Sequence, residues 1–346
     1  MRISCFAPQP SKVMPMFHYG PVLPLLFMIV LAGCGSGSGN GPGAAGSKRD
    51  KLLFAVIPKA TSHEFWKSVH AGAVKGSKEA DVKIVWKGPI TESDREAQIN
   101  VVQDFIAQNV DGICLAPLDS RALIPVVSEA AAAKIPVVIF DSGLDDLNGA
   151  ISFVATDNYH GGQIAGRHLG QLLHGKGRVI VLRYLVGSQS TEQREQGCLD
   201  AIKREFPEIE IISAGEYAGD TADKALVKSQ QLLLTFGHQL DGVFTPTQHV
   251  STGMLKALEE HGLAGKVKFI GFDPGPELVV ALRAKKMHGI VLQDPVRMAK
   301  LAVTTLAAYV RGQKVDPRIA TGETLATPEN MDEPEIKKLL EPELYE

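Results

Sequence analysis

Two adjacent aromatic residues, Phe65 and Trp66, close a polar loop that begins at Lys59 and passes through His63. Elsewhere Asp141-Ser142, the loop leading to Arg194, Thr247-Gln248, Asp273-Pro274 and Gln293-Asp294-Pro295 each follow a short apolar run. Flat aromatic faces beside planar carboxylate, guanidinium and amide groups suit one kind of ligand. A pyranose or furanose lays its apolar C–H faces on rings, and its rim of hydroxyls exchanges in-plane hydrogen bonds with Asp, Gln and Arg. The candidate set is therefore His63, Phe65, Trp66, Asp141, Arg194, Thr247, Asp273 and Gln293.

Each residue also has a plainer reading. Phe65 and Trp66 open an amphipathic stretch, Glu64 to Ala80, so one of the two serves equally well as a core residue. Asp141 and Asp273 can cap the turns that follow them, because aspartate accepts local backbone N–H groups. Arg194 neighbours Glu195 and can be a solvated charge. What singles the set out is its joint placement after strand ends in two successive units.

Those units come from periodicity. Apolar runs predict strands at Leu52–Ile57, Val82–Trp86, Gly112–Leu115, Pro136–Phe140 and Ile151–Ala155, and a second set at Arg178–Leu182, Ile209–Ser213, Gly242–Thr245, Val267–Phe272 and Gly289–Leu292. Amphipathic stretches separate them. Asp94 to Asn109 places Ile99, Val102, Ile106 and Val110 on one helical stripe, which needs a core on one side only. Strands apolar on both faces, alternating with such helices, predict an α/β fold of two tandem doubly wound parallel sheets with right-handed crossovers. In open sheets of this kind ligands sit beyond the carboxyl ends of the strands.

The chain has 346 residues, 45% hydrophobic and 22% charged, which excludes intrinsic disorder for most of it and fits about two domains. A net charge of −3 gives no bulk attraction for nucleic acid. The densest apolar run, Val22 to Ala32, follows Arg2 and Lys12, with no acidic residue before Asp50. Roughly eleven residues reach about 16 Å as a helix, short of the roughly 30 Å hydrocarbon core, so residues 1–33 read as an export signal. The run closes on Leu31-Ala32-Gly33-Cys34, which resembles the lipobox of bacterial lipoprotein signals and implies lipidation of Cys34. Residues 34–50, rich in Gly and Ser, read as a flexible tether. Cys114, inside an apolar run, reads as a small buried hydrophobe, and it and Cys198 read as inert thiols; a disulfide between them in an oxidising compartment is the alternative, which nothing in their spacing requires. His249 and His288 read as ordinary surface or loop histidines. A short surface helix is expected at Glu333–Leu340, and no metal or cofactor is expected.

Taken together, Asp111-Gly-Ile-Cys-Leu-Ala-Pro-Leu-Asp119, Ile135-Pro-Val-Val-Ile-Phe-Asp141, Thr156-Asp157-Asn158 with Gly161-Gly162, Arg194-Glu-Gln-Gly197 and Ile270-Gly-Phe-Asp273 resemble the ribose-type periplasmic binding proteins of ABC importers, from about Leu52 to Ala320. The resemblance implies two lobes joined by a hinge near Thr156, Gln293 and Thr321, the type I binding-protein architecture. The first lobe would be 51–155 plus 294–320, the second 156–293, with 321–346 a C-terminal segment. It implies that His63 replaces an asparagine, that Phe65 and Trp66 are the aromatic pair, and that Asp141, Arg194, Asp273 and Gln293 meet the solute. Ser142 stands where the family often has arginine, and Thr247-Gln248 where it often has Asn-Asp. No second-lobe aromatic is evident at Ala218-Gly-Asp-Thr221.

The implied function is capture of a monosaccharide or similar polyhydroxylated solute by a lipid-anchored, monomeric protein in the periplasm or cell envelope. Its partners would be the sugar, an ABC permease and its ATPase; the membrane would be met through the anchor alone. The alternative is a sensory protein that presents its closed form to a chemoreceptor or sensor kinase. A repressor of the lactose type would need a helix-turn-helix where the signal and tether lie. An enzyme is not expected: there is no nucleophile elbow, no phosphate loop after a strand and no His-Glu-x-x-His zinc pattern.

Overall fold

The computed structural model describes residues 51–342. The expected signal over residues 1–33, Cys34 and the tether up to residue 50 lie outside the described residues.

Two six-stranded sheets organise the chain. The first contains β1 (Leu53–Ile57), β2 (Lys83–Trp86), β3 (Gly112–Leu115), β4 (Val137–Phe140), β5 (Ala150–Ala155) and β11 (Arg318–Ala320), in the order β11-β5-β4-β3-β1-β2. The second contains β6 (Lys176–Val181), β7 (Glu208–Ser213), β8 (Gly242–Phe244), β9 (Lys268–Phe272), β10 (Gly289–Gln293) and β12 (Glu323–Ala326), in the order β12-β10-β9-β8-β6-β7. All pairings are parallel except β12, which runs antiparallel to β10.

Each sheet is covered on both faces, as the apolar runs predict. In β1, Phe54 and Val56 face α1 (Glu64–Glu79) and α9 (Pro295–Val310), while Ala55 and Ile57 face α2 (Arg95–Ala107) and α3 (Ile124–Ala132). In the second lobe, α4 (Asn158–Leu172) and α5 (Gln189–Glu205) cover one face, and α6 (Ala222–Phe236), α7 (Gln248–Glu260) and α8 (Pro276–Arg283) the other. Cys114 and Cys198 are free, buried in separate cores, with thiol pKa values pushed up by burial.

Three details differ from the sequence reading. β2 is not buried on both faces: Lys83 and Val85 are exposed, because it is the sheet edge with one neighbour. On α2 the buried face is Gln98, Val101, Val102 and Phe105, whereas Ile99 and Ile106 are half-buried and Val110 lies past the helix end. Beyond residue 316, β11 and β12 add an edge strand to each sheet, too short and polar to read as strands. The expected C-terminal helix is α10 (Pro334–Leu340), which buries Ile336 and Leu340 and packs near β12 and β10.

The chain crosses between sheets after β5, after β10 and between β11 and β12. The crossings meet: Thr156 Oγ1 donates to Gln293 Oε1 at 2.9 Å and lies 3.3 Å from Thr321 Oγ1.

The paired glycines that open α4 have a packing cause. A Cβ on Gly162 would lie 2.0 Å from the Arg194 carbonyl oxygen, and one on Gly197 would lie 2.1 Å from that of Tyr159. α4 and α5 therefore touch backbone to backbone, which seats Arg194. Gly162→Ala should destabilise by about 1–3 kcal/mol through overpacking, against the roughly 1 kcal/mol that alanine gains in helix propensity; urea unfolding measures the balance, and we expect a lower midpoint.

Candidate functional site

Strand ends from both lobes converge on a tight cavity of about 40 Å³. Its lining includes all eight sequence-derived candidates, His63, Phe65, Trp66, Asp141, Arg194, Thr247, Asp273 and Gln293. A wider groove of about 610 Å³ between α1, α8 and α10 shares Phe65, Asp273 and Gln293 but lacks the buried charges Lys59, Asp141 and Arg194.

The two aspartates occupy matching positions. Asp141 follows β4 at φ +64° and Asp273 follows β9 at φ +65°, in the left-handed region that aspartate tolerates better than most residues. Each donates its N–H to a strand of its own sheet, Asp141 to Val154 at 3.1 Å and Asp273 to Val291 at 2.9 Å. The turn sends both carboxylates into the cleft, so the capping alternative does not describe them. Asp273 Oδ1 accepts from Gln293 Nε2 at 2.8 Å, and Oδ2 from Arg194 Nη1 at 3.1 Å. Asp141 Oδ2 lies 3.5 Å from Lys59 Nζ. Burial pushes both carboxyls up from the ordinary aspartate value, against the opposing pull of Lys59 and Arg194 on Asp141 and of Arg194 on Asp273.

Arg194 is 2% exposed, which removes the solvated-charge alternative. Its Nε donates to Asn158 Oδ1 at 2.8 Å, its Nη1 also reaches Pro246 O at 3.0 Å, and the guanidinium lies 3.8 Å from the Phe272 ring centroid. Trp66 belongs partly to the core of its lobe, while half-buried Phe65 meets it edge-on with ring centroids 5.0 Å apart. Thr247 lines the cavity but already works as the N-cap of α7, accepting from Val250 N at 3.4 Å.

Four residues escaped the sequence reading. Lys59, directly after β1, donates to Ser188 and Ser190 of the other lobe, each at 3.1 Å. Glu92 joins the lobes by accepting from Trp66 Nε1 at 2.8 Å and from the Tyr184 hydroxyl at 2.8 Å. Burial raises the Glu92 pKa, but Lys59, His249, His63 and the Trp66 bond outweigh that and hold it below the usual carboxylate value. Tyr184, after β6, does not line the cavity but backs it, buried and edge-on to the His249 ring. The strand-end rule pointed to Lys59 and Tyr184, but neither residue type stood out in its segment.

His249 corrects the reading of an ordinary surface or loop histidine. It sits in the first turn of α7, which begins just past the end of β8, and that placement turns its ring into the cleft at 8% exposure. The ring stacks on His63 with centroids 4.7 Å apart and meets Tyr184 edge-on at 4.9 Å. His288 is half-buried ahead of β10, with Nδ1 accepting from Phe269 N. Among the described residues, no group of His, Cys, Asp and Glu is arranged to hold a metal ion.

Further bonds hold the lobes against each other: Ser93 Oγ to Asp220 at 2.6 Å, Arg95 to Val186 O at 2.8 Å, and Ser190 N to Ser142 Oγ at 3.2 Å. A hinged pair of α/β lobes closed over a charged, aromatic-walled cavity defines a solute-binding protein of the two-lobe class. The chain belongs to the periplasmic binding protein family, whose domain model matches residues 54–314. It is similar to a carbohydrate transporter solute-binding protein of Agrobacterium radiobacter solved with D-arabinose, at 32% identity and TM-score 0.81 over 85% of this chain and 100% of that one. A solute-binding protein of Agrobacterium vitis with bound D-fucose is 32% identical, at TM-score 0.80, over 84% of this chain and 100% of the other. The ribose import binding protein of Bacillus subtilis (strain 168) is 25% identical over 87% of this chain and 95% of its own length.

Behind the cleft, Glu195 accepts the Tyr184 N–H at 2.9 Å, and burial pushes its pKa from the ordinary 4.5 to about 7. A carboxyl raised in the folded state stabilises fully below its unfolded pKa, and that contribution is lost as pH rises through the folded one. The melting temperature of the parent protein should therefore fall relative to Glu195→Gln as pH is raised from 4.5 to about 7, measured by calorimetry across that window.

Proposed function

We propose that this protein captures a monosaccharide or related small polyhydroxylated solute between its lobes and delivers it to the permease and ATPase of an ABC importer. The observation that carries this reading is the convergence of Asp141, Arg194, Asp273 and Gln293 with Phe65 and Trp66 around one cavity between the lobes. His63 and Thr247 complete the proposed contacts. The carboxylates, guanidinium and amide suit the hydroxyl rim, and the rings suit the C–H faces. Sugars bound in the similar structures support the solute class, and the import role of the Bacillus relative favours transport over sensing. The reading contains no catalytic step.

The same proposal includes residues 1–33 as an export signal, lipidation at Cys34, a tether to residue 50 and action as a monomer in the periplasm or cell envelope. The lobes would be residues 51–155 with 294–320, and 156–293. Cys34→Ala should leave the protein in the soluble envelope fraction, whereas the parent chain sediments with membranes and labels with radioactive palmitate; labelling of the variant would refute Cys34 as the acceptor.

A thermal-shift screen of the purified chain against pentoses, hexoses, deoxysugars, polyols and nucleosides tests the solute class. At 100 times the dissociation constant a ligand stabilises by about 2.7 kcal/mol, a shift of about 5 °C for a chain of this size. We expect one sugar or polyol to give it and Asp141→Ala to abolish it. A flat response to the whole panel would sink the sugar reading. Tyr184→Phe, which removes a bond between the lobes to an ionised partner, should weaken that binding by about tenfold through faster release.

A further inference from the structure

Three buried side-chain atoms among the described residues have no hydrogen-bond partner: Glu195 Oε2, Ser229 Oγ and His249 Nε2. Of these residues only His249 lines the cavity between the lobes. A buried polar atom left unpaired costs about 1–3 kcal/mol, so a protein that keeps one at a binding cleft needs something there to pair with it. The ring itself is firmly placed. It stacks on His63 of the first lobe at an interplanar angle of 15° and lies edge-on to Tyr184 of the second. The α7 helix that carries it is capped by Thr247, one of the cavity residues.

We infer that His249 is a specificity-determining residue whose Nε2, buried without a protein partner on a side chain that lines the cavity, exchanges a hydrogen bond with one hydroxyl of a neutral polyhydroxylated solute. This rests on the sugar-binding reading and deepens it. Burial holds the His249 pKa down at about 4, so the ring is neutral near pH 7 and offers a lone pair or an N–H according to tautomer. A neutral imidazole suits a hydroxyl, which can play either part. Because the ring stacks on the opposite lobe, a solute held by Nε2 also steadies the His63–His249 contact, and His249 then reports lobe closure as well as hydroxyl position.

The test compares the full chain with His249→Phe and His249→Gln, by titration calorimetry with D-ribose, D-arabinose, D-fucose and xylitol. Phenylalanine keeps a ring for His63 and Tyr184 but has no nitrogen; glutamine restores a polar atom near the Nε2 position. For whichever probe the parent binds, we expect His249→Phe to weaken binding by about tenfold, the loss of one hydrogen bond, and His249→Gln to recover most of it. Nitrogen-15 spectra of the parent should show the His249 Nε2 resonance moving on saturation, a change that a merely packed ring would not give. Unchanged affinity in His249→Phe, or a static Nε2 resonance in the saturated parent, overturns the inference while leaving sugar binding intact. A parent that binds none of the four, nor any sugar or polyol of the thermal-shift panel, overturns the inference together with the reading beneath it.

Discussion

Charge neutralisation inside a closing cleft is the constraint on which the rest of this structure depends. Lys59, Asp141, Arg194 and Asp273 are each less than a tenth exposed, and an unpaired buried charge would cost several kcal/mol. Each therefore has a defined partner. Arg194 is held by Asp273, Asn158 and the Pro246 carbonyl, all within its own lobe. Lys59 is held by Asp141 on its own side and by two serines from the other. The partners of Arg194 come from one lobe, and those of Lys59 from both.

The backbone is arranged to serve those pairs. Asp141 and Asp273 are placed alike, at strand ends in the left-handed region, and the strain of that conformation is held by a backbone hydrogen bond to the sheet. Gln98, fully buried, donates to the Pro58 and Ala116 carbonyls and accepts from Leu118 N, which pins the loops after β1 and β3 and with them the approach to Lys59. The close glycine contact of α4 with α5 does the same for Arg194.

The cavity lining and the hinge share one set of atoms. Gln293 bonds Asp273 through its amide nitrogen and hinge residue Thr156 through its oxygen, so a cavity residue and the crossing strands are in direct contact. Glu92 accepts from both lobes at once. A solute that engages these groups has differential affinity for the closed arrangement, which is what a ligand needs to shift a two-state equilibrium.

The lobed α/β architecture and most of the cleft were legible in the residues themselves. Apolar runs such as Gly112–Leu115 announce strands covered on both faces, and the polar residues after each run mark the side on which ligands bind. Local pattern carries that much because strand burial and strand ends are properties of contiguous sequence. It also narrowed Phe65, Asp141, Arg194, Asp273 and Gln293 to the cleft. It did not show the edge position of β2, the short β11 and β12, or the roles of Lys59, Glu92, Tyr184 and His249. Those depend on which residues of one lobe meet which of the other: Glu92 and Tyr184 are 92 positions apart, and His63 stacks on a ring far along the chain. No periodicity encodes such a pair. Only the packing of two sheets about a hinge brings the groups together, and burial, which made His249 a cleft residue rather than a surface one, is a property of that packing alone.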